Sequence, residues 1–224
     1  MKFKALTLGL LLSLFTAFFA TNAFAGPSDD GLDVRVSATV PIVGFSRTVE
    51  SERGWDSYED NYSSKDFMTG FNARISLGYR WSIIGVYIDQ DLSYAKYMNR
   101  AKEDLDPFFL GGTYFTVRLL IPLNNIEFDV GLGLGLMYST GDDLRDHTNH
   151  PAIITDSDGD ASPCFAAKLA LELTYFFNDH IGFGLDLDYS VGMMFDWWHE
   201  NGRSYSQTDY VHFFTPGLHL RYAF

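Results

Sequence analysis

The chain has 224 residues, a formal net charge of -13 and a single cysteine. That length suits one domain with a sizeable core, and the acidity excludes nucleic acid as a partner because phosphates would be repelled. One cysteine rules out an internal disulfide, and Cys164, with no positive neighbour to activate it, reads as a small packing residue near a strand end.

At the N-terminus, Lys2 and Lys4 precede an apolar run from Ala5 to Ala20, followed by Asn22-Ala23-Phe24-Ala25 and Gly26. A charged start, an apolar stretch and an A-x-A site predict a secretory signal peptide over 1–25, with cleavage after Ala25 and one exported domain over 26–224. The rival, a permanent anchor, needs a longer apolar stretch and would not be followed at once by a cleavage pattern. No cysteine follows the run to carry a lipid. Beyond it no apolar stretch reaches the roughly 18 residues of a spanning helix, so any membrane crossing must be made by strands.

Eight segments with a period of two follow in order. They are Leu32 to Phe45, Phe71 to Arg80, Ile84 to Tyr94, Leu110 to Leu123, Ile126 to Thr140, Phe165 to Phe176, Leu185 to Gly192 and Asp209 to Phe224. In the third, Ile84, Val86, Ile88, Leu92 and Tyr94 share one face while Gly85, Asp89, Asp91 and Ser93 share the other. The seventh sets Leu185, Leu187, Tyr189 and Val191 against Asp186, Asp188, Ser190 and Gly192. Helical spacing would scatter these sets around an axis; strand spacing collects them.

Alternation does not say which face is inside, because a soluble barrel of the lipocalin kind also alternates, with its apolar face inward. Three features favour lipid outside. First, the minor face carries nearly balanced charge: Arg35, Arg74, Arg118, Lys168 and Arg221 stand with Asp89, Asp91, Asp129, Glu172, Asp186 and Asp188. An enclosed lumen can pair them. Second, aromatic residues gather near segment ends (Tyr79, Trp81, Tyr94, Tyr138, Tyr175, Phe176, Trp197, Trp198 and Tyr210), where amphipathic rings settle at a bilayer interface.

The third feature is the last segment, where Leu218, Leu220, Tyr222 and Phe224 alternate and the chain stops on the aromatic. Tyr222 and Phe224 resemble the sorting signal of outer-membrane barrels, which their assembly machinery reads. Taken with the signal peptide and the eight segments, residues 26–224 resemble the small eight-stranded outer-membrane group typified by the OmpA membrane domain, OmpX and OmpW. The resemblance implies an all-β fold: an eight-stranded antiparallel up-and-down transmembrane β-barrel in the bacterial outer membrane, in contact with membrane lipid and lipopolysaccharide. It also implies short periplasmic turns, longer extracellular loops and both termini on the periplasmic side. No cell-wall-binding domain is expected beyond the last segment, unlike in full-length OmpA proteins.

The connections fit that asymmetry. Long ones are expected at about Ser46 to Asp66, Tyr97 to Phe109, Gly141 to Ser162 and Trp197 to Thr208; short ones near Arg80-Trp81-Ser82, Pro122-Leu123-Asn124-Asn125 and Phe177-Asn178-Asp179-His180 carry turn-forming residues. The first and third long loops are markedly acidic, so coexistence with anionic lipopolysaccharide calls for bridging Mg²⁺ or Ca²⁺. Within the third, Asp156, Asp158 and Asp160 alternate like half of a calcium loop, without its closing Glu. The alternative is a plain solvated Asp/Gly loop. Asp146, His147 and His150 are a second candidate ligand set, for zinc or copper.

Three function classes remain. An enzyme is not expected: the lipid A deacylase group places Ser two residues after its His on one strand face, and none of the six histidines here has that Ser. At His212 the position is held by Phe214, and His219, inward beside Arg221, reads as part of the lumen network. A pore is the second class; Gly131, Gly133 and Gly135 thin one lumen wall, and either Arg118, Lys168 or Tyr87 fills the space or a narrow conduit remains. Passage of small apolar molecules, by resemblance to OmpW, would need an apolar upper lumen. The third class, the expected one, is a structural or surface-interaction barrel without catalytic residues or a resident cofactor. Its loops would carry Trp55, Tyr58, Tyr62, Trp197, Trp198 and Tyr205 as anchors for a host or envelope ligand. A girdle lies in one plane, whereas a binding patch rises above it.

Overall fold

The structure is a computed structural model, described over residues 30–53, 56–63, 67–97, 108–140, 164–200 and 203–224. The expected signal peptide over 1–25, Trp55, Asp146, His147, His150, Asp156, Asp158 and Asp160 lie outside these residues. Ten strands follow in order: β1 (Gly31–Thr39), β2 (Ile42–Arg53), β3 (Asp56–Ser63), β4 (Met68–Trp81), β5 (Ile84–Tyr97), β6 (Phe108–Leu123), β7 (Ile126–Thr140), β8 (Cys164–Phe176), β9 (Ile181–Glu200) and β10 (Arg203–Ala223). From β4 onward each strand pairs antiparallel with the next. β1 closes the ring by pairing with both β10 and β4.

Ten strands make eight staves. β1 and β2 are one stave interrupted at Val40-Pro41: against β10 the register runs on unchanged, from Thr39↔Gly217 to Ile42↔Phe214. Pro41 has no N–H to give the ladder, while Val40 still donates its N–H to the Pro216 carbonyl at 2.9 Å. β3 is the tenth strand and stands outside the ring, pairing with β2 alone.

Here the structure corrects two expected loops. Residues expected to connect from Ser46 to Asp66 instead continue β2 to Arg53 and return as β3, and those expected from Trp197 to Thr208 instead carry β9 to Glu200 and β10 back from Arg203. The polar composition that suggested loops is also the composition of strands with water on both faces. Backbone pairing, from Ser204↔Glu52 to Ser46↔Ser63, holds these segments.

At the other end the connections are tight. The Ser82-Ile83 and Asn124-Asn125 turns have positive φ at Ser82 (52°) and Asn124 (60°), a conformation Asn tolerates better than most residues. Asp30 Oδ1 accepts the Ser82 N–H at 2.7 Å. Asn178 accepts the His180 and Ile181 N–H groups at 2.9 and 2.7 Å.

The sidedness left open by the alternation is decided by closure. Leu132 and Leu134 on β7 are 69% and 73% exposed, whereas Arg118 on the neighbouring β6, paired with Gly131, is 0% exposed. Apolar side chains face out and charges face in. Among the described residues no helix is long and apolar enough to cross a membrane; the crossing is made by this wall.

Candidate functional site

The lumen is filled from the turn end upward by a linked set of ion pairs. At its floor Asp33 accepts two bonds from Arg221, at 3.0 and 2.5 Å, and Arg221 also donates to Glu127 at 2.5 Å. Glu127 accepts in turn from Arg80 at 3.1 Å. The Phe176 ring lies 5.1 Å from the Arg221 guanidinium. Phe176 thus closes the lumen floor and does not sit in the interfacial girdle, a correction that follows from its place one residue off the outward set.

One level up, Arg35 donates to Asp129 at 2.5 Å and to Glu172, and Glu172 also accepts from Arg118. Arg118 in turn donates to both oxygens of Asp89 at 2.9 Å. Tyr87 lies between the Arg35 and Arg118 guanidiniums, 4.7 and 4.6 Å from its ring centre, and donates its hydroxyl to Asp33 at 2.7 Å. Higher again, Lys168 reaches Asp89, Asp91 and Asp188 at 3.1, 3.3 and 3.3 Å. Arg74 donates to Asp91 at 2.7 Å and pairs with Asp188. Burying such charges costs several kcal/mol each unless every one is partnered. Cross-lumen pairing supplies those partners.

Every member of the expected charge set is buried in the lumen. His219 lies there too, as its place beside Arg221 suggested, and Asp33, Arg80 and Glu127 join the set. Their signal was available: each keeps the parity of the inward residues on its own strand, carried to the strand end. The glycine wall is filled. A Cβ at Gly131 would meet Arg118 Cγ at 3.0 Å, one at Gly133 would meet Thr116 Oγ1 at 2.7 Å, and one at Gly135 would meet the Thr113 carbonyl at 2.0 Å. Tyr87 fills the lumen over Gly78 and Gly85 on β4 and β5.

Above Lys168, whose ammonium sits 5.0 Å from the Tyr114 ring centre, the character changes. Val43, Met68, Ala95, Leu110, Met137, Cys164, Val211 and Phe213 form a buried apolar cluster. The inward charges therefore do not extend over the whole height: the outer part of the lumen is apolar. Cys164 packs there, as its sequence setting suggested.

Beyond the ring, β3, β2, β10 and β9 continue as a four-stranded sheet. Its register sets Trp198, Tyr205, Ser51 and Tyr58 in one row across the strands, and Asp196, Gln207, Val49 and Asp60 in a row two positions away. Trp197, Ser206, Glu50 and Glu59 make the row between them. Three expected anchors, Tyr58, Trp198 and Tyr205, thus share a row, and this row lies past the last residues of β8 and β4 that pair with the sheet, Phe165 and Met68.

On the outer wall His212 meets Ser46 from the neighbouring strand, Oγ to Nε2 3.3 Å, and the Tyr189 hydroxyl, 2.7 Å from Nδ1. A search for Ser two residues from His on one strand cannot find a Ser that pairing brings from 166 residues away. A nucleophilic triad places a carboxylate on Nδ1 where Tyr189 stands. Tyr210 stacks on His212 at 6.5 Å and ends an apolar groove of about 710 Å³ lined by Leu134, Leu136, Phe165, Val191 and Met193.

The outer wall also carries the ring pairs of an interface at the turn end: Tyr79 with Trp81 at 4.7 Å, Tyr175 with Phe177 at 5.4 Å, and Tyr222 with Phe224 at 4.6 Å. A closed wall with apolar groups outward, ions inward and an aromatic rim is the architecture of a transmembrane β-barrel of the bacterial outer membrane. Eight staves place it among the smallest of that class.

No protein-family model matches the chain, and no curated protein is similar to it in sequence. Among solved structures it is similar to Neisserial surface protein A, with 14% identity, a TM-score of 0.42 and coverage of 84% of this chain and 99% of that one. It is also similar to the outer membrane protein OprG of Pseudomonas aeruginosa, with 9% identity, a TM-score of 0.45 and coverage of 88% and 99%. The outer membrane protease OmpT of Escherichia coli shows 9% identity, a TM-score of 0.41 and coverage of 92% and 100%. Likeness at this level carries no activity from those proteins to this chain.

Proposed function

We propose that the protein is a non-conducting structural barrel of the outer membrane that displays an acidic, aromatic-bearing sheet to a host or envelope ligand. The observation that carries this reading is the unbroken ion-pair filling of the lumen from Arg80 to Arg74. In the same reading, Tyr222 and Phe224 present the terminal strand to the assembly machinery, and divalent cations bridge the acidic exterior to lipopolysaccharide. Planar-bilayer recordings on folded, heat-modifiable protein test it. Silence across a range of salt is the expected result; stable unitary steps that change on Arg118→Met would overturn it.

The apolar upper lumen favours a second reading, a shallow site for small apolar molecules. Quenching or enhancement of an apolar fluorophore on binding, abolished by Phe213→Arg, would support it. An unchanged signal in that variant would remove it.

A further inference from the structure

The lumen does not balance its own charge. Among the described residues eight buried carboxylates face six buried arginine and lysine side chains. Asp186 is where the deficit falls: its one ion-pair partner among the described residues is the His219 ring, through Nδ1, and its Oδ2 is buried with no hydrogen-bond partner. Register sharpens the problem. Asp129, Glu172 and Asp186 face one another directly across β7, β8 and β9, so three inward carboxylates stand in one row. Like charges directly opposite destabilise a sheet, the more so in a site closed to water. Arg35 and Arg221 serve Asp129, and Arg35 and Arg118 serve Glu172, which leaves the Glu172–Asp186 side of the row without a cation.

We propose that Glu172, Asp186 and His219 hold a resident divalent cation inside the barrel. One ligand atom from each lies within 4.8 Å of the others, close enough to share one ion. A nitrogen and two carboxylate oxygens suit a zinc-like or manganese-like ion rather than a soft one. Two positive charges bring the buried count level, and the lone Oδ2 of Asp186 gains the partner it lacks. The surroundings hold the ring as ligating histidines are held: Nε2 lies 2.8 Å from Thr174 Oγ1, leaving Nδ1 to face the carboxylates. Gly184 makes room for it, since a Cβ there would come within 2.6 Å of His219 Cε1 and 2.7 Å of Nε2. Neither Asp156 to Asp160 nor the acidic outer sheet is involved, so the site is independent of the surface reading.

The test is metal content of the full chain, extracted folded from membranes and washed with chelator, beside its uptake of Co²⁺ during refolding. The expected result is about one divalent ion per chain, falling to roughly a tenth or less in Asp186→Asn and in His219→Gln, since losing a ligand removes at least what losing its support does. Visible Co²⁺ absorption should appear in the wild type and vanish in His219→Gln. If one variant does not fold, the other and the wild-type spectrum still decide. A wild-type chain that holds no metal and takes up no Co²⁺ overturns the proposal. Equal metal in wild type and both variants overturns it too, by placing the ion elsewhere.

Discussion

The two ends of the lumen solve the same filling problem with opposite chemistry. Toward the turns, long charged side chains from strands distant in sequence interlock, so that Arg35 meets Glu172 across 137 positions. Toward the outer rim, Met68, Leu110, Met137 and Phe213 fill the space with no polar demand. The lesson lies in the failure modes. A missing methylene leaves a void that neighbours partly close, but a missing guanidinium strands a carboxylate that no relaxation can solvate.

Arg118→Ala should break that contrast most forcibly. It leaves Glu172 and Asp89 short of a partner and should lower stability by about 3–5 kcal/mol, read from urea unfolding in lipid vesicles. Arg118→Met with Glu172→Gln should lose clearly less; an equal loss would mean that packing, not pairing, holds the floor. On the outside, Leu134→Arg puts the same charge type where no partner waits and should cost about 2–4 kcal/mol. At the apolar end, Phe213→Leu should cost about 1 kcal/mol, because it removes some buried apolar bulk without stranding a polar group. The smallest effect is expected above the ring, where Tyr58→Ala in the aromatic row should move stability by no more than about 0.5 kcal/mol. The same variant should weaken binding to a surface ligand, if the row is the contact, and intact binding would move the search to the opposite face.

The sheet above the ring also shows where reading by composition stops. In the membrane, lipid on one side and a closed lumen on the other force alternation, and β5, β8 and β9 are legible residue by residue. Outside it no lipid enforces that alternation, so β3, with Asp56, Glu59, Asp60 and Asn61, reads as a loop. Its pairing with β2 is a property of the hairpin. The Ser46–His212 contact escapes for a related reason, since a pair made between strands has no fixed spacing along the chain.

Period two by itself determined that eight segments are strands and which residues within each share a face. It could do so because every residue in a barrel wall has only two environments to choose from. What only closure decided is which face is inside, which acid each arginine meets, and that Asp129, Glu172 and Asp186 stand abreast. Those are distances across a lumen, set by the stagger of neighbouring strands around the ring, and no local pattern in the sequence encodes them.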